Sequence, residues 1–369
     1  MNAILESLFA ACEESGASDI HLATDMPPRF RVRGELVELG GYRAFDSKTV
    51  DAVAMELGLF TLPVGSPDGT ERIRITLMNE GSIDGALSSP SGVRYRFNLF
   101  REAGRHAVAL RRLDGEPRSF AELGLPERLE RFCDERDGLV VVTGPTGAGK
   151  STTLATMLNR INDTRRGHII TIEDPIEFVH KSRKCLVNQR QVGRDTKSFN
   201  DALVESLRQD PDVILVGEIR DIATVRTALR AAETGHLVFT TLHAGDAPGA
   251  IERLISVFPA DEQTSARHQL ALALRGVFAQ HLVADKSGTG RALAYELLVN
   301  TSACANLIAT GRTAQIYSVI ETGAAHGMCT LDQSLAELLS AGRIDERTAV
   351  CLSKNPAMLR GRMGIHASR

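Results

Sequence analysis

The chain has 369 residues, which is room for two domains with sizeable cores. Its 43 Lys and Arg against 46 Asp and Glu leave a net charge of −3, which excludes a general cationic coat for nucleic acid or an anionic membrane. Hydrophobic content of 43%, charged content of 24% and no Trp describe an ordinary globular chain, neither disordered nor fibrous.

From the N-terminus, Leu5, Leu8, Phe9 and Cys12 have helical spacing, and Gly16 is a stop. Asp19 to Leu22 begins an extended stretch. Phe30 to Arg33 and Glu35 to Val37 flank Gly34 as a hairpin. A second hairpin pairs the alternating Tyr95, Phe97 and Leu99 with Val108 and Leu110 across Gly104. Between them, Leu62 to Gly92 reads as loop, rich in Gly and Pro (Pro63, Gly65, Pro67, Gly69), with a strand expected over Arg72 to Met78. Residues 1–112 therefore read as a small α+β domain, and the polar run 113–118 as a linker.

From Phe120 the pattern becomes strands alternating with helices, the mark of a parallel sheet. Strands are expected at Leu139 to Val142, Ile169 to Ile172, Val213 to Val216 and Leu237 to Thr241. Leu154, Met157, Leu158 and Ile161 form one helix face between them, Ala202, Leu203 and Leu207 a second, and Ile222 to Ala232 a third. After Pro259 the chain reads as mainly helical, apart from a hairpin signal at Gly288-Thr289-Gly290. The longest apolar run, His268 to Ala284, is broken by Arg275 and Gly276 and falls short of the roughly 18 residues a membrane helix requires. The N-terminus has Glu6, Glu13 and Glu14 and no basic start, unlike a signal peptide. Six scattered cysteines without a C-x-x-C pair fit reduced thiols, and the expected location is the cytoplasm.

Gly144-Pro145-Thr146-Gly147-Ala148-Gly149-Lys150-Ser151 matches G-x-x-x-x-G-K-[ST], after an apolar strand and before a helix. Glycines let backbone N–H groups converge on phosphate oxygens, and the helix adds its positive end. Lys150 neutralises β/γ charge, and the Ser151 hydroxyl can ligate Mg²⁺. Hydrolysis also requires a polarised water. Two acidic clusters fall at expected strand ends, Thr171 to Phe178 with Glu173 and Glu177, and Val213 to Glu218, where ligands sit in open α/β sheets. Thr240-Thr241-Leu242-His243 ends a further strand at the same edge.

The order GPTGAGKSTT, TIEDPIEF, VNQRQVGRDTKSF, DPDVILVGEIRD and TTLHAGDA resembles the secretion-ATPase superfamily and, within it, the PilT-type ATPases of type IV pili. SDIHL, PPRFRVRGEL, VFPADEQ, GRALAYELL and TGAAHGMCTLDQSL extend the resemblance over nearly the whole chain. It implies an α/β protein with an N-terminal α+β PAS-like domain (1–112), a linker (113–118), a RecA-like P-loop ATPase domain (119–300) and a helical C-terminal region (301–369). It also implies a homohexameric, Mg²⁺-dependent ATPase, cytoplasmic and peripheral at the inner-membrane base of a pilus. Its partners would be a membrane platform protein and, in a variant form, a second pilus ATPase.

Residue by residue, the resemblance makes Gly144 to Ser151, with Thr152, the nucleotide loop and Ser151 and Glu218 the metal oxygens. Glu177 would polarise the attacking water, Glu218 would position metal or water, and His243 would sense the γ-phosphate. The division of labour among Glu173, Glu177 and Glu218 stays open. Arg96, Arg101 and Arg111 before the linker, and Arg190, Arg194 and Arg208 beyond the second strand, match arginines that complete the family's site. Each singly reads equally well as a solvated or ion-paired residue. They are six of 36 arginines, the chain having only seven lysines; codon bias is the favoured account of such an excess, ahead of forks that bind phosphate or cross a subunit interface.

Retraction-type members typically carry AIRNLIRE. Here Ala303 to Thr310 keeps Asn-Leu-Ile but neither arginine nor the glutamate. Assembly-type members usually have a longer N-terminal region and a four-cysteine metal site, both missing from this sequence, so the architecture sides with retraction. The rivals are an assembly or secretion motor and, from another class, a RecA-like nucleic-acid translocase, against which the near-neutral charge and the lack of an aromatic-rich basic stretch speak.

Overall fold

The computed structural model describes residues 2–63, 66–113, 115, 117–288 and 290–362. It divides into two compact units: Met1–Pro117 with Glu173–His180 and Gln189–Ser198, and Arg118–Ile172 with Lys181–Asn188 and Phe199–Arg369. Of the residues read as loop or linker, Val64, Gly65, Asp114 and Glu116 lie outside the described residues, as do Thr289 and the last seven of the C-terminal region.

The first unit runs α1 (Ala3–Glu14), β1 (Asp19–Leu22), β2 (Arg29–Val32), β3 (Glu35–Glu38), α2 (Ser47–Leu59), α3 (Gly69–Glu80), β4 (Ser82–Ser88), β5 (Arg94–Glu102) and β6 (Arg105–Arg112). Its antiparallel sheet has the order β3-β2-β1-β6-β5-β4. The face of α1 expected from spacing is buried against it, and Tyr95, Phe97 and Leu99 alternate inward from β5. One expectation fails here. Residues 72–78 are part of α3, not a strand. The alternation Arg72-Ile73-Arg74-Ile75 imitates period two, but the buried residues are Ile73 and Leu77, one helical turn apart, while Ile75 and Met78 face solvent. Gly81, at φ 80°, ends that helix. The loop-rich stretch also contains β4.

The second unit runs α4 (Phe120–Leu123), α5 (Glu127–Asp134), β7 (Gly138–Thr143), α6 (Lys150–Thr164), β8 (His168–Glu173, whose last residue is counted with the first unit), β9 (Leu186–Gln191, of which residues 189–191 are counted with the first unit), α7 (Phe199–Ser206), β10 (Val213–Val216), α8 (Ile222–Glu233), β11 (Leu237–Leu242), α9 (Ala247–Ser256) and α10 (Gln263–Ala273). There follow β12 (Leu274–Ala284), β13 (Arg291–Val299), α11 (Ser302–Ala309), α12 (Ile316–Thr322), α13 (Leu331–Ser340), α14 (Glu346–Leu352) and α15 (Pro356–Arg362). The sheet order is β13-β12-β7-β11-β10-β8-β9, with β12, β7, β11, β10 and β8 parallel. Every residue of β7, β10 and β11 is buried, as central parallel strands require.

The four expected strands and three expected helix faces are present, except that α7 stops at Ser206, before Leu207. The region after Pro259 is less helical than expected. Of the apolar run there, residues 268–273 end α10 and residues 274–284 form β12, which pairs parallel with β7 and antiparallel with β13. A short apolar run without polar alternation fits a buried strand and a buried helix alike, and pairing to β7 decides it. Among the described residues no helix is long and apolar enough to cross a membrane.

Candidate nucleotide site

In the second unit, β7 delivers Gly144 to the carboxyl edge of the parallel strands, and α6 starts at Lys150. Gly144 has φ 145°, and a Cβ on it would meet the Gln280 carbonyl oxygen at 2.3 Å, so only glycine lets the loop leave the strand beside β12. Pro145, Thr146, Gly147 and Ser151 are exposed, Gly149 and Thr152 half-buried, and Ala148 is buried with its carbonyl accepting from Gln280 Nε2. Lys150 Nζ donates to the carbonyls of Gly144 (2.9 Å) and Pro145 (3.1 Å), folding back onto its own loop.

Glu218 lies two residues beyond β10. Its carboxylate accepts from Arg220 Nη2 at 2.7 Å and faces His243 Nε2 at 3.4 Å. Burial pushes the Glu218 carboxyl up, but the hydrogen bond and charge of Arg220, with the charges of His243 and Lys150, outweigh it and hold the group below the ordinary glutamate range. Lys150, Glu218 and His243 are thus brought together. Two hydroxyls fix the strand ends that carry them. Thr241 Oγ1 donates to the Gly217 carbonyl at 2.6 Å, and Thr143 Oγ1 donates to the Ala244 carbonyl and accepts from the Ala244 N–H, both at 2.8 Å. Arg253 donates to the His243 carbonyl at 2.9 Å, and His281 Nε2 to the Gly245 carbonyl at 3.0 Å.

Glu177 belongs to the first unit, where Arg96 Nη1 stands 3.7 Å from it. The loop that carries Glu177 is held by Arg94, whose Nε and Nη2 both donate to the Ile176 carbonyl at 3.2 and 3.1 Å. Gln189 Nε2 donates to Glu173 at 3.1 Å and to the Phe178 carbonyl at 2.8 Å. Arg190 donates to the Asp195 carbonyl at 3.3 Å, and Arg194 is half-buried. Arg101 is exposed near the end of β5, whereas Arg111 pairs with the buried Asp19 at 2.8 Å. Arg208, in the second unit, is exposed just after α7.

Gln280, Thr143, Arg94 and Gln189 are residues that motif reading passes over. Gln280 left the clearest trace, as an amide directly after the apolar run Val277-Phe278-Ala279. It is 1% exposed. The metal oxygens expected here, the Ser151 hydroxyl and the Glu218 carboxylate, are hard donors suited to Mg²⁺, which takes one or two protein oxygens and completes its shell with phosphates and water. Ser151 is exposed on the first turn of α6, and Glu218 is kept ionised, so both fit that ion.

Residues 1–357 match the family of type II/IV secretion system proteins. The chain belongs to that family. Within it, the chain is 42% identical over 352 residues to the type IV pilus retractation ATPase PilT of Pseudomonas aeruginosa, covering 95% of this chain and 98% of that protein. It is 46% identical over 267 residues to the twitching motility protein of Neisseria gonorrhoeae, covering 72% and 71%. Among solved structures it is similar to the pilus retraction motor PilT with bound ADP, at 42% identity and a TM-score of 0.86, with 97% of this chain and 99% of that one covered. The α+β unit followed by a P-loop sheet is the architecture of this family member throughout.

Proposed function

We propose that the chain is an ATP-hydrolysing motor that drives type IV pilus retraction and twitching motility. The observation that carries this is the convergence of Lys150, Glu218 and His243 at one sheet edge, in a chain 42% identical over nearly its full length to a pilus retractation ATPase. In this reading Lys150 gives up the Gly144 and Pro145 carbonyls to take the β- and γ-phosphates, while the loop N–H groups from Gly147 to Thr152 cradle the chain of phosphates. Glu177 polarises the attacking water. Glu218 holds its charge where water or metal must be positioned, and His243, whose Nε2 faces that carboxylate at 3.4 Å, reports the γ-phosphate. Ser151 and Glu218 would hold Mg²⁺, which would supply positive charge to the phosphate oxygens. Arg96, Arg101, Arg111, Arg190, Arg194 and Arg208 are candidates for neutralising the transferring group, and those already ion-paired must first exchange partners.

The motor is proposed to act as a homohexamer in the cytoplasm at the inner-membrane base of the pilus, against a platform protein. Phosphate release from Mg²⁺-ATP by the purified chain tests the enzyme. Lys150→Ala is expected to remove it by at least about 10²-fold while leaving the fold intact. A wild-type chain that releases no phosphate, or a Lys150→Ala chain that turns over normally, contradicts it.

One observation favours a second reading, an assembly or secretion motor or a chain working beside a second pilus ATPase. In α11, Cys304, Leu307 and Ile308 are buried, the last two shared with AIRNLIRE. Ala305 and Ala309, half-buried, and Thr310, exposed, stand where its charges would be. The apolar face is packed, and the charges of the signature are missing.

A further inference from the structure

Glu296, on β13, is fully buried, and an ionisable side chain in that position is costly unless it is paired and hydrogen-bonded. Both of its oxygens are used. Oε1 accepts from the Ala247 N–H at 2.9 Å, at the start of α9, and Oε2 from Lys354 Nζ at 3.1 Å. Lys354 also reaches Asp246, at 2.8 Å, and lies 5.1 Å from the centre of the Tyr317 ring. Asp246 caps α9 through the Gly249 N–H, and it closes the turn His243-Ala244-Gly245-Asp246. The lysine itself is pinned from behind, because Asp332 on α13 accepts from the backbone N–H groups of Lys354 and Asn355 at 3.0 and 3.1 Å.

The C-terminal helices therefore do more than pack on β13 through Leu331, Leu335 and Ile344. Through one ammonium they grip the far end of the turn whose first residue is His243. We infer that Lys354 is a positioning residue for hydrolysis, holding the 243–246 turn so that His243 stays against Glu218. The inference deepens the reading of His243 as γ-phosphate sensor and rests on it. Burial pushes the Lys354 amine down, yet Asp246 and Glu296 outweigh this and raise it. Burial pushes the Asp246 carboxyl up, yet Lys354 and the Gly249 N–H outweigh that and lower it, so both groups are charged at neutral pH.

The test is the Lys354→Met/Glu296→Gln double variant of the full chain. It leaves no unpaired buried carboxylate at position 296, and the carbonyl of the introduced amide still accepts from the Ala247 N–H. The expected result is a fall in kcat of about tenfold, with KM for ATP within about twofold of wild type. Hydrogen exchange at 243–246 should quicken in the nucleotide-free protein, and Lys354→Arg should recover most of kcat. Unchanged kcat with unchanged exchange at 243–246 overturns the inference. So does a loss of kcat that only tracks lost folded protein, with faster exchange confined to α13–α15. A wild-type chain that does not hydrolyse ATP fails the functional reading instead, and the exchange measurement, made without nucleotide, still reads the grip of Lys354 separately.

Discussion

His243 is tied at its backbone and nearly free at its ring. Its carbonyl accepts from Arg253, and the next residue is held through both backbone groups by Thr143, while the imidazole is exposed with Nε2 facing Glu218 at 3.4 Å. That combination suits a group that changes partner when a phosphate arrives, since the scaffold stays put and only a side chain swings. His243→Ala is accordingly expected to lower kcat by up to about 10²-fold, with nucleotide affinity, measured by equilibrium binding of a labelled ATP analogue, nearly intact. A large loss of affinity with normal turnover of bound ATP would contradict a sensing role. Glu218 stands differently: Arg220 and Lys150 keep it ionised against burial, so its charge is part of the resting site.

At the level of elements, the nucleotide site depends on β12 as much as on the loop it supports. The strand brings Gln280 beneath the loop, and its register beside β7 shifts between Leu274 and Gly276. A Cβ on Gly276 would come within 2.1 Å of the Phe132 ring and 2.6 Å of the Leu298 carbonyl oxygen. Gly276→Ala should therefore destabilise the second unit by about 1–3 kcal/mol, the usual cost of overpacking, read as a lower urea midpoint at unchanged slope. An unchanged midpoint would show that α5 and β13 give way freely. β12 and α3 also show where sequence reading stops. The P-loop could be read because its chemistry demands particular residues at fixed spacing, and β7, β8, β10 and β11 because β-branched runs between breakers have few other fates. The arginine and isoleucine alternation before Leu77 satisfied a strand's period by accident, and only the packing of Ile73 and Leu77 reveals the helix. Gln280, Arg94 and Gln189 act on backbone groups distant in sequence, a relation that no local pattern encodes.

For the whole molecule, the near-neutral charge and the arginine excess take on separate meanings. Some arginines are structural, as Arg111 on Asp19 and Arg94 on the Ile176 carbonyl show, and others are exposed, as Arg101 and Arg208 are. The excess is thus partly architecture. The C-terminal region holds two separate features: a grip on the His243 turn through Lys354, and a stretch in α11 without the charged residues of AIRNLIRE. Retraction as the output of the motor is the claim on which the account turns. It is tested most directly by counting surface pili on cells deleted for this chain and complemented with wild type or Lys150→Ala. A retraction motor predicts excess pili without twitching, reversed by wild type and not by Lys150→Ala; cells with no pili, or with a normal number, would contradict it.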